Sequence, residues 1–510
     1  MFDKILIANR GEIAVRVMRA CREMGIRSVA IYSDVDRDAL HVRMADEAYP
    51  CGPPPARDSY LVQERVIEIA KRARADAIHP GYGFLAENGN FADLCEREGI
   101  AFVGPSGSVM RAMGDKVRAR QKMQEAGVPI VPGTTRALSD DEAIEFAVQI
   151  GFPVMVKATA GGGGKGLRLV KHASEMEKAL QRARGEARAS FGDDSLYVEK
   201  FVEQPRHIEI QILADRHGNT IHLFERECSV QRRHQKVIEE APGNGITPKL
   251  RERMGQAAIA AARAVGYVGA GTCEFLVDEN DEFYFLEMNT RVQVEHAITE
   301  AITGVDIVKT MIRAAAGEPL GIDPKDLRIT GHAIEARIYA EDPEQGFAPS
   351  PGQIVVFRPP DGIGVRVDSG VYQGATVSVF YDPMVAKLIA WGQDRGEAID
   401  RLRRALTEFA VKGIKTSIPF HQRVLRHPVF LAGRYDTGFI EQHMAGGKGG
   451  AEDAAGLSEA RRVAFMLAAI AAYRRDKQRA SRSVADAGRS AGGDPWQEYG
   501  RRMQMRGGLR

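Results

Sequence analysis

The chain has 510 residues, enough for about three domains and a sizeable core. Apolar residues make up 44% and charged residues 27%, the balance of an ordinary soluble globular protein. Net charge is only +2, and a local +6 on Arg474–Arg510 leaves about −4 elsewhere, which argues against a nucleic-acid-binding body. Five widely spaced cysteines form no C-x-x-C pair, so a zinc ribbon or redox dithiol is disfavoured and a reducing compartment favoured. The N-terminus lacks the charged and long apolar regions of a signal peptide, and the longest apolar run, Val463–Tyr473, is too short to span a bilayer. A cytoplasmic protein that engages neither membrane nor nucleic acid is expected.

In chain order, Lys4–Ala8 reads as a buried strand and Glu12–Met24 as an amphipathic helix closed by Gly25. Ser28–Tyr32 is a strand, Leu61–Arg74 a helix, and Asp76–His79 and Ala101–Val103 further strands. This alternation predicts a parallel, doubly wound sheet that binds ligands beyond its strand C-termini, at Asn9-Arg10-Gly11-Glu12 and Pro80-Gly81-Tyr82-Gly83-Phe84. Pro153–Lys157 and Leu167–Lys171 read as two strands around a glycine-rich loop. From Tyr197 the text turns β-rich: Tyr197–Val202, His207–Ala214, Thr220–Glu225, Cys273–Val277 and Glu282–Met288, interrupted by a helix at Leu250–Val265. This predicts an α+β region with antiparallel pairing. Met444–Gly456 reads as a linker, followed by a helix near Ser458–Arg479 and a basic Ser/Ala/Gly stretch.

The loop Ala160–Gly166 formally contains G-x-G-x-x-G, but strand-like text on both sides rules out the strand–loop–helix context of a dinucleotide fingerprint. No Gly-Lys-Ser/Thr follows, so it is no Walker A loop either. Glycines at a hairpin tip let backbone N–H groups approach an anion, and Lys157 and Lys165 supply charge; a lid over phosphate and a plain surface turn both fit.

Cys273–His296 is the most informative stretch. With Asn280-Asp281 as a two-residue turn, Glu274 faces Glu287 across the hairpin. Opposed like charges destabilise a sheet, and a bound cation removes the objection; Mg²⁺ favours carboxylate oxygens completed by substrate phosphates. In an extended chain Glu287, Asn289, Arg291, Gln293 and Glu295 share one polar face, suited to metal and anion binding. Gln231–Lys236 (QRRHQK) is a dense donor run that alone reads as a solvated edge. His207 reads as structural, and Arg337 alternates with apolar neighbours on a strand, where it pairs with an acid.

Together these pieces resemble the biotin carboxylase component of biotin-dependent acyl-CoA carboxylases, built on the ATP-grasp fold. The resemblance runs from KILIANRGEIAVRV (Lys4–Val17) through HPGYGFLAEN, KATAGGGGKG, SVQRRHQKVIEEAP, FLEMNTRVQVEH and EARIYAEDP (Glu335–Pro343) to about Met444. It implies an N-terminal Rossmann-like domain (1–115), an ATP-grasp domain (116–330, lid about 131–204), a biotin carboxylase C-terminal domain (331–444), a linker (445–457) and a helical, basic tail (458–510).

The resemblance also implies roles. Lys116, Lys157, Gly163, Gly164, His207, Gln231 and His234 would contact the phosphates and ribose of ATP, with Glu199, Lys200, Val202 and Leu276 around adenine. Glu274, Glu287 and Asn289 would hold Mg²⁺ or Mn²⁺. Lys236, Arg291, Gln293 and the Val294 backbone would hold bicarbonate, Glu295 would be the general base, and Arg337, with Tyr82 nearby, would stabilise the biotin enolate. Lys165 stands where many members carry arginine. The nearest text to the family's Ala-Met-Lys-Met biotinylation motif is Arg502-Met503-Gln504-Met505, without a lysine. Biotin is therefore expected on a separate biotin carboxyl carrier protein. The carboxylase is expected to be a homodimer that works with a separate carboxyltransferase subunit. The final acceptor is read as an acyl-CoA, acetyl- or propionyl-CoA, with pyruvate as the alternative. Another ATP-grasp ligase that traps an acyl phosphate with an amine, and a nucleotide-binding regulatory module, are competing readings; Arg337 and Glu295 speak against them.

Overall fold

A computed structural model describes residues 1–134, 136–159 and 166–444. Residues 1–444 form one compact unit. The strands β1 (Lys4–Ile7), β2 (Arg27–Ser33), β3 (Glu47–Gly52), β4 (Ala77–His79) and β5 (Ala101–Phe102) make a parallel sheet in the order β3-β2-β1-β4-β5. All four residues of β1 are buried, as apolar text with helices on both faces requires. The strand order turns between β1 and β4, so the loops after those strands meet. Asn9 ties them: its Nδ2 donates to the carbonyls of Pro80 and Tyr82, at 2.7 Å each. Both loops expected to bind a ligand thus lie at one switch point.

A second sheet contains β6 (Val154–Ala158), β7 (Leu167–Val170) and β8 (Leu196–Lys200) in the antiparallel order β7-β6-β8. Helices Asp140–Ile150 and Met176–Phe191 back it, burying Ala143, Ala147, Leu180 and Ala183 against Val154, Val156 and Val198. The first of these helices starts in a capping box, with Ser139 and Glu142 satisfying each other's backbone N–H. The glycine loop between β6 and β7 lies largely outside the described residues, as do the linker and tail after Met444.

The third sheet is the largest. β9 (Arg206–Ala214), β10 (Thr220–Arg232), β11 (Gln235–Ala241), β12 (Gly269–Val277), β13 (Phe283–Asn289) and β14 (His332–Tyr339) are joined by strands Met384–Gly392 and Val365–Ser369. The order is β13-β12-β9-β10-β11-β14, then 384–392 and 365–369, antiparallel throughout. The sequence shows α+β text here but not that residues beyond 330 extend the same sheet. One face is apolar and packs on helix Pro248–Ala264, capped by Thr247 with proline following, and on helix Arg395–Glu408. The other face carries Glu209, Arg226, Glu239, Glu335 and Lys387, each with 0% exposure. Helix His296–Thr303 covers β10, β11 and β14. Among the described residues no helix is long and apolar enough to cross a membrane.

Candidate active site

The β12–β13 hairpin places Glu274 opposite Glu287, as the sequence suggests, but by another route. The turn is longer than two residues: Asp278 N–H donates to the Glu282 carbonyl, and Asp281 takes a positive φ. Phe275 therefore pairs with Phe285, and a bulge at Leu286 restores the Glu274–Glu287 pairing. The expected five-residue polar face does not exist as one extended strand, because β13 ends at Asn289. The chain instead folds back. Asn289 Nδ2 and Gln293 Nε2 both donate to Glu274 Oε1 at 2.8 Å, while Arg291 turns to Glu87 at 3.0 Å and to Asn289 Oδ1 at 2.8 Å.

Lys236 stands at the centre. Its Nζ donates to Glu274 Oε1 at 2.8 Å, to Glu295 Oε1 at 2.7 Å and to Glu209. Three carboxylates hold this ammonium well above the ordinary lysine range, against the opposing pull of burial. Glu295 begins helix His296–Thr303, where the helix dipole favours an anion. Burial pushes its carboxyl upward, but Lys236, Arg337 and Arg226 outweigh that and hold it well below the carboxylate range. Burial likewise opposes the ionisation of Glu274, which Lys236 and His207 hold down. Glu287, exposed on the cleft side of β13, is shifted the other way, by partial loss of water around it and then by the facing Glu274. Two opposed carboxylates and an amide form an all-oxygen donor set, the kind a divalent cation such as Mg²⁺ takes.

Arg337 lies on β14, with Nε donating to Glu239 Oε1 at 2.6 Å and one terminal nitrogen donating to Glu295 Oε2 at 2.9 Å. It lines a pocket of about 520 Å³ with Tyr82, Arg291 and Val294, bounded by Asn9 and Phe380. The Tyr82 hydroxyl donates to buried Glu12. Lys387 Nζ donates to the Val294 carbonyl at 2.7 Å, pinning the segment just before Glu295.

On the far side of Glu274, Lys116, Lys157, Glu199, Glu287 and Asn289 line one cleft between the small sheet and β13. Lys157 and Arg120 both pair with Glu199, so that carboxylate is engaged. Lys200 Nζ donates to the carbonyls of Gly151 and Phe152 at 3.0 Å, its backbone N–H donates to the Pro132 carbonyl at 2.7 Å, and with Val202 it lines an adjoining groove. Leu276 is half-buried and pairs in register with His207. Gln231 Nε2 lies 2.9 Å from His207 Nδ1, and His207 Nε2 lies 3.0 Å from Glu274. His234 stands exposed at the tip of the β10–β11 turn with φ +64° and joins none of these groups. Gly163 and Gly164 lie outside the described residues.

The donor run Gln231–Lys236 is a solvated edge only at its tip, where Arg233, His234 and Gln235 are exposed; it closes a hairpin of the large sheet, and Gln231 and Lys236 turn inward. Sequence reasoning missed Glu209 and Arg226, the supports of this site. Arg226 is fully buried and donates to Gln293 Oε1 at 2.6 Å, to Gln211 Oε1 at 2.7 Å and to Glu209, fixing Gln293 and the partner of Lys236 together. The alternation His207-Ile-Glu-Ile-Gln-Ile carried the signal, since Glu209 and Gln211 share a face between isoleucines. Glu87 and Glu239, partners of Arg291 and Arg337, left no local signal.

A small antiparallel sheet bearing basic residues, set over a larger sheet bearing paired carboxylates with a cleft between, defines an ATP-grasp enzyme. Comparison with known proteins agrees along the chain. Residues 1–110 match the biotin carboxylase N-terminal domain, 115–323 the carbamoyl-phosphate synthase L chain ATP-binding domain, and 335–442 the biotin carboxylase C-terminal domain. A pyruvate carboxylase subunit of Methanothermobacter thermautotrophicus is 56% identical over 447 residues, 88% of this chain and 91% of the relative. The propionyl-CoA carboxylase alpha chain of Ruegeria pomeroyi is 51% identical, over 92% of this chain and 72% of its own. The crystal structure of a biotin carboxylase–beta-gamma-ATP complex from Campylobacter jejuni superposes with a TM-score of 0.84 at 47% identity, covering 87% of this chain and 99% of that one. The chain belongs to the biotin carboxylase family, whose members are ATP-dependent carboxylating ligases.

Proposed function

We propose that this protein carboxylates biotin, presented on a separate carrier protein, using bicarbonate and Mg-ATP, as the first half-reaction of an acyl-CoA carboxylase. The observation that carries the reading is the shared ammonium of Lys236. It ties the metal-side carboxylate Glu274 to the base Glu295, and Arg337 ties Glu295 to the pocket of Tyr82.

ATP would lie in the cleft of Lys116 and Lys157, and Glu274, Glu287 and Asn289 would hold the divalent cation. When bound, that cation neutralises charge on the phosphoryl oxygens. Bicarbonate would sit among Lys236, Arg291, Gln293 and the Val294 N–H. With both its cations in place Glu295 is a poor base, because an efficient one titrates near the working pH. An entering anion competes for Lys236 and Arg337, and Glu295 then recovers basicity as it takes the bicarbonate proton. The bicarbonate oxygen attacks the γ-phosphorus, ADP leaves, and carboxyphosphate forms. Carboxyphosphate breaks down to CO₂ and phosphate, and phosphate takes the ureido N–H proton of biotin. The ureido nitrogen then attacks CO₂, while Arg337, a fixed and permanent cation, faces the enolate oxygen.

Five buried, unpaired cysteines accord with a reducing cytoplasm. Acetyl-CoA or propionyl-CoA is the proposed final acceptor, chosen by a separate carboxyltransferase; the 56% identity to a pyruvate carboxylase component supports pyruvate as the second reading. A homodimer is proposed as the working form. The test is Mg-ATP hydrolysis with bicarbonate, with and without free biotin. Stimulation that requires both is expected. Bicarbonate-dependent turnover indifferent to biotin would replace the reading with another carboxyphosphate-forming ligase.

A further inference from the structure

Directly behind Arg337 the large sheet opposes a second pair of acids. Glu239 on β11 is in register with Glu335 on β14, and both have 0% exposure. Side chains so paired have Cβ atoms about 5 Å apart, within reach of carboxyl–carboxyl contact. Arg337 occupies Glu239 Oε1. Glu239 Oε2 and both oxygens of Glu335 have no hydrogen-bond donor among the described residues. Three acceptor oxygens in a dry site cannot all stay bare, since burying an unpaired carboxylate costs several kcal/mol. The nearby cations are committed elsewhere. Arg337 is divided between Glu239 and Glu295, and Lys387 is held by the Val294 carbonyl with Glu12 at 3.4 Å and Asp368 at 3.9 Å. From the covering helix, His296 spends Nδ1 on the Gln293 carbonyl. One proton resolves the arrangement.

We propose that Glu335 is a neutral carboxylic acid whose O–H donates to Glu239 Oε2, and that this shared proton fixes the carboxylate on which Arg337 is aimed. Glu335 is then a positioning residue for the biotin half of the reaction, an assignment that rests on the function proposed above. The pair carries one negative charge rather than two, and in keeping with this, burial, helped by Glu239 and against the pull of Lys387 and Arg337, pushes the Glu335 carboxyl well above the carboxylate range. Glu335 does not line the Tyr82 pocket and faces it from behind Glu239.

The test compares the wild-type chain with Glu335→Gln and Glu335→Leu. Gln keeps a donor for Glu239, whereas Leu keeps volume and removes the donor. Small misplacements of a catalytic group cost up to about 100-fold, so Glu335→Leu should lower kcat/KM for free biotin by about tenfold or more. The KM values for ATP and for bicarbonate should stay within about twofold, the mark of an interaction confined to the second step. Glu335→Gln should recover most of the biotin-dependent rate. Independently of turnover, the infrared carbonyl band of a protonated carboxyl should be present in the wild type and missing in Glu335→Gln. A band unchanged by Glu335→Gln, or biotin kinetics of Glu335→Leu equal to wild type, would overturn the proposal. Wild-type turnover that ignores biotin would instead sink the proposed function, while the infrared band still reports on the shared proton.

Discussion

The parallel N-terminal sheet and the eight-stranded sheet solve opposite problems. The first buries apolar text and keeps charge at its rim: β1 has Ile5, Leu6 and Ile7 at 0% exposure, flanked by Ala30 and Ile78 in the neighbouring strands. The second buries charge. Glu209, Arg226, Glu239, Glu335 and Lys387 lie at 0% exposure on one face of strands whose other face is aliphatic. The ions among them survive because each cation answers several acids and Glu209 and Glu239 take theirs from shared cations, whereas Glu335, bare of donors, is the member proposed to be neutral. The contrast separates two kinds of burial, one that holds the fold together and one that stores electrostatic free energy for chemistry.

The contrast breaks most sharply at Glu295. Glu295→Gln should cut bicarbonate-dependent ATP cleavage by about 10² to 10⁴, the usual worth of a general base, and should also lower the thermal midpoint, since it leaves buried Lys236 and Arg337 one carboxylate short. A loss under tenfold, measured as phosphate release at saturating bicarbonate, would remove Glu295 from that role. In the other sheet the effect should fall on folding. Ile7→Ala, at a site sealed between Ala30 and His79, should cost about 2–5 kcal/mol of unfolding free energy in urea titrations and leave KM for ATP unchanged. Glu287→Gln relieves the opposed carboxylates, so apo stability should hold or rise while the Mg²⁺ needed for half-maximal ATP cleavage rises about tenfold or more. An unchanged metal requirement would count against the Glu274–Glu287 pair.

The smallest effect concerns pH. Buried Glu240 accepts from His332 and Arg395 at 2.7 Å each. Burial pushes its carboxyl up, but His332 and Arg395 outweigh that and hold it at about 2, below the 4.5 of an unfolded chain. A depressed carboxylate contributes stability above 4.5 and loses it as pH falls toward 2. The gap in thermal midpoint between wild type and Glu240→Gln should therefore be widest near neutrality and narrow in that acid window. A gap that widened on acidification would reverse the sign of the interaction.

How far the sequence could be read follows the same divide. Strand–helix alternation located β1, β2, β4 and β5 to within about a residue or two, because apolar periodicity there reports burial directly. Opposition of Glu274 and Glu287 was legible too, although the assumed two-residue turn was wrong and the bulge at Leu286 cancelled the error. Lys236 was legible only through the family resemblance, since a donor run looks the same on a solvated edge and in a dry interior. Glu239, Glu335 and Glu87 find partners 98, 96 and 204 residues away or face them across strands, distances over which local patterning carries nothing.

The ladder joining β11 to β14, from Ile238 with Ala336 to Ala241 with Ala333, crosses the gap between the segments that match separate family domains. Cutting the polypeptide near residue 330 would therefore not release two self-sufficient pieces. The upstream fragment would end in a raw sheet edge, the β14-facing backbone groups of β11 unpaired and Glu239 and Glu240 stripped of Arg337 and His332. Such an edge invites strand-to-strand association between copies and would make the fragment prone to precipitate. Anyone dividing this enzyme for expression, permutation or domain exchange should place the joint elsewhere.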